Sequence, residues 1–356
     1  MITTQHTKNR KDYPALKLNR LWKLIGNTPM LELIYAYKGQ KRKIYVKCEH
    51  YNLTGSIKDR MALYILQKAY EQEALHPGSR IIEATSGNTG ISFSALGRAL
   101  GHPVTIIMPD WLSRERTDII KSFGAEIIPV SKEQGGFFGS IKLSEVYAAK
   151  DHSVFLPRQF ENRYNAEAHE RTTGPEITRQ LQRKGLRTHA FVAGVGTGGT
   201  VMGVGYHLRA AFKDVQVFAI EPAESPTLTT GYKTGSHRIQ GISDEFIPPI
   251  VNLSKLNGVI KVSDGDAILM AQKLSRQLGL AVGISSGANV IGAILVQGML
   301  PPDCNVVTVI PDSNKKYLST DLMKEERIKE SYITPKLDFL DFSPIERICV
   351  CDTGLQ

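Results

Sequence analysis

Cysteine is scarce in this chain: Cys48, Cys304, Cys349 and Cys351 are the only four in 356 residues. So few cannot build a disulfide framework for a protein of this size. Cys349 and Cys351 form a Cys-x-Cys with no second pair beside it, so an unpaired tail is expected there and no metal is assigned. Long apolar runs are missing as well, and no stretch approaches the length that spans a bilayer. Residues 1–20 are polar and basic and lack the apolar centre of a secretion signal, which sets a cytoplasmic expectation. Low-complexity tracts and clear internal repeats are absent. Acidic residues are the minority, 35 against 44 basic ones, for a net charge of +9. The basic residues are nevertheless scattered, apart from short clusters such as Lys38-Gly-Gln-Lys-Arg-Lys43. No helix carries a continuous basic stripe, so neither nucleic acid nor membrane is expected as a partner.

What is present is the composition of a globular protein, 42% hydrophobic and 22% charged, in a chain long enough for two lobes. Short β-rich runs alternate with amphipathic segments. Strands are expected over 43–47, 80–83, 104–108, 126–130, 189–193, 215–220 and 305–310. Helices are expected over 59–72, 90–100 and 113–123. This alternation predicts an α/β fold of two lobes, each with a central, mostly parallel sheet flanked by helices. The expected divisions are an N-terminal arm over 1–45 packing on the larger lobe, a smaller mobile lobe over 46–160, a larger lobe over 161–322 and a tail over 323–356. The tail is expected to begin helical and turn irregular around Thr334.

Three segments carry the chemistry. Asn52-Leu-Thr-Gly-Ser-Ile-Lys58-Asp-Arg60 sets one lysine among small residues at a helix start. The positive end of a helix disfavours an ammonium, which is what an amine nucleophile needs; a surface lysine is the plainer reading. Thr85-Ser-Gly-Asn-Thr-Gly90 follows a strand and opens a helix, so its N–H groups can grip an anion, and Asn88 can donate to a phenolate oxygen. The same residues also make an ordinary helix cap. Gly194-Val-Gly-Thr-Gly-Gly-Thr200 follows the strand over 189–193. It matches Gly-x-Gly-x-x-Gly, and Glu221 at the end of the next strand stands where a ribose-binding acid would, so an NAD-binding oxidoreductase competes on this segment. That reading leaves Lys58 and the 85–90 loop without a role. A phosphate-bearing aldehyde, pyridoxal 5′-phosphate (PLP), uses all three segments.

Together these residues resemble the cysteine synthase family, meaning O-acetylserine sulfhydrylases and the catalytic core of cystathionine β-synthase. The resemblance covers roughly residues 22 to 320. It runs through Ile25-Gly-Asn-Thr-Pro-Met30, Gly55-Ser-Ile-Lys-Asp-Arg60, Ala84-Thr-Ser-Gly-Asn-Thr-Gly90, Met108-Pro-Asp110 and Phe123-Gly-Ala-Glu126. It continues through Gln159-Phe160, Gly196-Thr-Gly-Gly-Thr200, Gln240-Gly-Ile242, Phe246-Ile-Pro248 and Gly283-Ile-Ser-Ser-Gly287. It implies the tryptophan-synthase-β-like, fold-type II PLP architecture, with the cofactor in the larger lobe. Lys58 resembles the lysine that forms the Schiff base, and Asn88 the partner of the cofactor's ring oxygen. Gly196, Thr197, Gly198, Gly199 and Thr200 resemble the phosphate loop, and Ser285 the partner of the pyridine nitrogen. Thr85, Ser86, Gly87, Thr89 and Gln159 match the residues that grip the substrate carboxylate. The implied reaction is β-replacement on a β-substituted L-serine through an α-aminoacrylate, with O-acetyl-L-serine and sulfide giving L-cysteine and acetate. A neutral serine at the ring nitrogen suits prompt loss of a β-substituent. A homodimer and a serine acetyltransferase partner are implied by the same resemblance.

The chain departs from the pattern in three places. Leu53 stands where many members have proline. The tail beyond about 320 has no matched role. Within Gly241-Ile-Ser-Asp-Glu-Phe246, Ser243, Asp244 and Glu245 replace the small residues of many sulfhydrylases. An Asp244 carboxylate would repel hydrosulfide and could orient or deprotonate water, a hydroxyl or a thiol; a solvated loop acid is the plainer reading. The alternative is therefore a lyase releasing hydrogen sulfide from L-cysteine, or a lanthionine or cystathionine synthase. A catalytically silent protein that docks a partner's C-terminus in the carboxylate site is a further alternative. No haem-binding Cys/His segment and no regulatory domain are expected.

Overall fold

The computed structural model describes residues 13–243 and 245–348. A β-hairpin pair follows the first helix, and helices and strands then alternate: α1 (Tyr13–Trp22), β1 (Met30–Tyr37), β2 (Gln40–Cys48), α2 (Lys58–Glu71), β3 (Arg80–Ala84), α3 (Asn88–Leu100), β4 (Val104–Pro109) and α4 (Arg114–Ser122). There follow β5 (Glu126–Val130), α5 (Gly136–Lys150), β6 (Val154–Phe155), α6 (Arg163–Ala168), α7 (Gly174–Gln182), β7 (Ala190–Gly194), α8 (Gly199–Ala211), β8 (Gln216–Pro222) and α9 (Thr227–Thr230). The last elements are β9 (Gly258–Val262), α10 (Asp264–Leu278), α11 (Ile284–Met299), β10 (Val306–Ile310) and β11 (Leu337–Ile345).

Two compact units result. Residues up to Gly26 join Lys58–Arg158 in the first, and Asn27–Ile57 join the chain from Gln159 onward in the second. The first unit holds a parallel four-stranded sheet in the order β5-β4-β3-β6. Its central strand β4 is buried along its whole length, as an unbroken apolar run in a covered parallel sheet should be. The second unit holds a seven-stranded mixed sheet, β11-β1-β2-β10-β7-β8-β9, in which β1 runs opposite to the other six strands. Strand alternation divides its core. Ile44, Val46 and Val192 point into the cluster built with α10 and α11. Tyr45, Phe191 and Ala193 point into the one built with α7 and α8. Among the described residues no helix is long and apolar enough to cross a membrane.

The expected two α/β lobes are present, and the tryptophan-synthase-β-like fold is shared with relatives described below. The divisions differ. The arm is split: α1 lies in the first unit, where Lys17 Nζ donates to Ala99 O at 2.7 Å and Trp22 Nε1 to Gln67 Oε1 at 2.7 Å. Residues 27–57 lie in the second, because β2 pairs with β10 across some 260 residues of sequence. The tail is not helical at its start. Its stretch 324–328 has no regular structure, and β11 then closes the outer side of β1.

Candidate active site

In the first unit the half-buried Lys58 opens α2. Its neighbour Asp59 is buried and accepts a hydrogen bond from Ser92 Oγ of α3 at 2.6 Å. That bond ties the start of α2 to the helix that follows the Thr85–Thr89 loop. The loop leaves β3 with Thr85 N still bonded to Ile107 O at 3.1 Å. Thr85 Oγ1 then accepts from Gly87 N at 3.2 Å. Arg116 of α4, itself buried, donates from Nη1 to Ser86 O at 2.7 Å and from Nε to Ser113 Oγ at 3.0 Å. Thr85, Ser86, Gly87, Asn88 and Thr89 therefore sit at the N-terminal end of α3 on a sheet edge, braced from below by a guanidinium. Arg116 was not singled out in the sequence; its signal is only the spacing Ser113-x-x-Arg116 at the start of a predicted helix.

In the second unit the loop from Gly194 to Thr200 joins the end of β7 to α8. Gly194 N donates to Asn289 Oδ1 of α11 at 2.8 Å, and Asn289 Nδ2 donates to Val309 O of β10 at 2.9 Å. Asn165 Nδ2 donates both to Thr197 Oγ1 at 2.9 Å and to Gln159 O at 2.8 Å, which brings Gln159 beside this loop. Gly198 adopts φ +86°, open to glycine at little cost, and a methyl group on Gly199 would overlap Asn165 Oδ1. Thr200 Oγ1 lies 3.4 Å from His169 Nε2, whose ring reaches Thr173 Oγ1 at 2.9 Å through Nδ1. Ser285 is buried in the first turn of α11, and Gly283 N just before that helix donates to Asp312 O at 3.2 Å, two residues past the end of β10. The glycine loop and Ser285 thus share the C-terminal edge of the adjacent parallel strands β7 and β10, where α/β sheets hold ligands. Asn165 is a second residue the sequence did not disclose, since its partner lies 32 residues away.

This arrangement suits PLP. A loop whose Gly196, Gly198 and Gly199 leave no room for a Cβ presents backbone N–H groups at the N-terminus of a 13-residue helix, which is an anion cradle. A buried hydroxyl on the same sheet edge is a neutral partner for a ring nitrogen. The dinucleotide alternative fares worse. Glu221 is fully buried, and its carboxylate accepts from Leu228 N at 2.8 Å, from Thr229 N at 3.2 Å and from Thr229 Oγ1. Capping α9 occupies the acid that a ribose would need. Asp244 and the Cys349-x-Cys351 pair lie outside the described residues.

Comparisons with known proteins agree with the geometry. The family described as pyridoxal-phosphate dependent enzyme matches residues 21–312, and the chain belongs to it. It is thus a PLP-dependent enzyme. A probable cysteine synthase of Bacillus subtilis is 41% identical over 299 residues, 84% of this chain and 96% of that one. A hydrogen sulfide-producing enzyme of Fusobacterium nucleatum is 55% identical, with a TM-score of 0.91, 93% of this chain covered and 99% of that one. The same enzyme is also known as an aspartate-to-asparagine variant carrying its α-aminoacrylate intermediate. A cysteine synthase of Entamoeba histolytica is 33% identical, with a TM-score of 0.78 and coverage of 92% and 95%.

Proposed function

We propose that this enzyme catalyses β-replacement on a β-substituted L-serine, taking O-acetyl-L-serine and sulfide to L-cysteine and acetate. The observation that carries the reading is the glycine-rich anion cradle of residues 196–200 on the same sheet edge as Ser285, in a family member whose Lys58 opens a helix. Bound PLP supplies an electron sink that acidifies the substrate α-carbon and eases departure of the β-substituent. The backbone of Gly196–Thr200 holds its phosphate, Ser285 its ring nitrogen, Asn88 its ring oxygen and Lys58 Nζ its carbonyl carbon. Thr85, Ser86, Gly87 and Thr89 bind the substrate carboxylate through N–H and hydroxyl donors, and Gln159 is assigned the same ligand. Lys58 Nζ takes the α-proton as general base and later returns it. Asp244 acts on the incoming nucleophile. The resemblance supports a homodimer, a serine acetyltransferase partner and a cytoplasmic location.

A second reading, release of hydrogen sulfide from L-cysteine, is favoured by the 55% identity to an enzyme with that name and by the acid at position 244. Purified protein should absorb in the visible range, and Lys58→Ala should abolish both that band and turnover, a loss of about a thousandfold or more. A colourless parent protein loaded with PLP would overturn the family chemistry. Product analysis with O-acetylserine plus sulfide, against L-cysteine alone, separates the two readings.

A further inference from the structure

The Thr85–Thr89 loop is built around an arginine from another helix. Arg116 lies in the first turn of α4, and the residue is only 4% exposed. A guanidinium keeps its charge and carries five donors in a fixed plane, so burying one creates a demand for acceptors. Two of them are Ser86 O, 2.7 Å from Nη1, and Ser113 Oγ, 3.0 Å from Nε. The space for the side chain is taken from Gly87. A Cβ there would lie 2.8 Å from Arg116 Cδ and 3.2 Å from Nη1, and an arginine pinned at two acceptors does not give way cheaply. Two positions earlier, Arg114 faces solvent and pairs with Asp118 at 3.3 Å, an exposed link that holds weakly.

A trans peptide points its carbonyl and its N–H in opposite directions. Arg116 grips the carbonyl of the Ser86–Gly87 peptide, and Thr85 Oγ1 accepts from its N–H at 3.2 Å. Thr85 Oγ1 is thereby an acceptor, which leaves its own hydrogen for an anion. Turned over, the same peptide would offer a carbonyl oxygen where the loop now offers donors, and it would repel a carboxylate. Rotation beside a glycine costs little, so the orientation depends on what holds the carbonyl. A carboxylate only accepts hydrogen bonds, whereas a carboxamide both donates and accepts and tolerates either orientation. Resting on the reading of residues 85–89 as the substrate carboxylate site, we propose that Arg116 is a positioning residue that sets the enzyme's preference for amino acids with an ionised α-carboxylate, by locking the Ser86–Gly87 peptide with its carbonyl turned onto α4.

The test uses holoenzyme and measures binding of L-serine and of L-serinamide, which differ only in that group, from the change each makes in the visible band. The parent should favour L-serine by about tenfold or more. Arg116→Met, which keeps much of the length and removes the donors, should weaken L-serine about tenfold and L-serinamide by no more than about twofold. Arg116→Lys, whose ammonium reaches one acceptor, should fall between. Ser113→Ala, which loosens the guanidinium without altering the loop, should shift the preference the same way by about two- to threefold. With O-acetyl-L-serine and sulfide, KM should rise in Arg116→Met while kcat stays within about threefold, and the PLP content should match the parent's. Hydrogen exchange at the Gly87 amide should quicken in that variant before any substrate is added. Equal weakening of acid and amide overturns the proposal, because a merely structural role predicts it. An unmoved preference in Arg116→Lys and Ser113→Ala, which keep the buried charge, overturns it as well, even where Arg116→Met fails to fold. A parent without preference removes residues 85–89 from the carboxylate site, and the proposal with it. A parent that prefers L-serine, yet releases neither acetate from O-acetyl-L-serine nor sulfide from L-cysteine, overturns the β-replacement reading alone, and the role of Arg116 is then decided by the binding ratio.

Discussion

A carboxyl group packed against another carboxylate, away from water, has reason to keep its proton, and Asp264 is such a group. It opens α10, is buried, and its backbone N–H donates to both oxygens of Glu224 at 3.1 Å. Burial first and the Glu224 charge second push its pKa up to about 7. Arg238 opposes this: its backbone N–H donates to Asp264 Oδ2 at 2.6 Å. The Arg238 guanidinium, however, is forked onto Glu326 at 2.7 and 3.0 Å, with Asp321 at 3.6 Å. Because the folded value lies above the unfolded one, the stabilisation is complete in acid and fades as pH climbs through that of the folded carboxyl. The thermal midpoint should fall between about pH 4 and 7, and Asp264→Asn should flatten that part of the profile. An unchanged slope in the variant would refute the retained proton. Nothing near Asp264 in the sequence foretells this, since Glu224, Arg238 and Glu326 come from three separate segments. The segments that hold Lys58, Asn88 and Ser285, by contrast, stand out in the sequence because each is a contiguous motif.

Short parallel strands announce themselves at the level of elements. The run over 126–130 coincides with β5, and the runs over 43–47, 80–83 and 104–108 lie inside β2, β3 and β4. Each is an apolar stretch bounded by a turn or a helix start, so local composition suffices. β1, β6, β9 and β11 escaped notice. β6 has two residues, and β11 reads Leu-Asp-Phe-Leu-Asp-Phe-Ser-Pro-Ile, an edge pattern with a register shift and exposed acids. The loop into α8 was readable as glycine-rich, yet the reason for glycine is the Asn165 side chain, which only folding brings there. Gly199→Ala should therefore cost about 1–3 kcal/mol of stability through overpacking and weaken PLP retention, measured by denaturation and by cofactor titration. A variant that keeps the parent's PLP affinity would remove the cradle from the phosphate site.

For the molecule as a whole, the division into units is the least legible property. Blocks along the sequence suggested lobes in succession, whereas the second unit is assembled from both sides of the first unit's main segment. Pairing between β1 and β11, Met30 with Ile345 at one end and Tyr37 with Leu337 at the other, cannot be seen in any local window. Leu337 is fully buried at that junction, so Leu337→Ala should lower the stability of the second unit by about 2–5 kcal/mol, read as an early transition in calorimetry or urea. An unaltered transition would make β11 an ornament of the sheet rather than part of its core. The same pairing has a temporal side. On the ribosome, the stretch 58–158 has emerged and can collapse long before residue 306 is made, whereas β2 waits for β10 and β1 for β11. A nascent chain stalled at midlength should thus already resist protease over its first sheet while residues 27–57 remain cleavable.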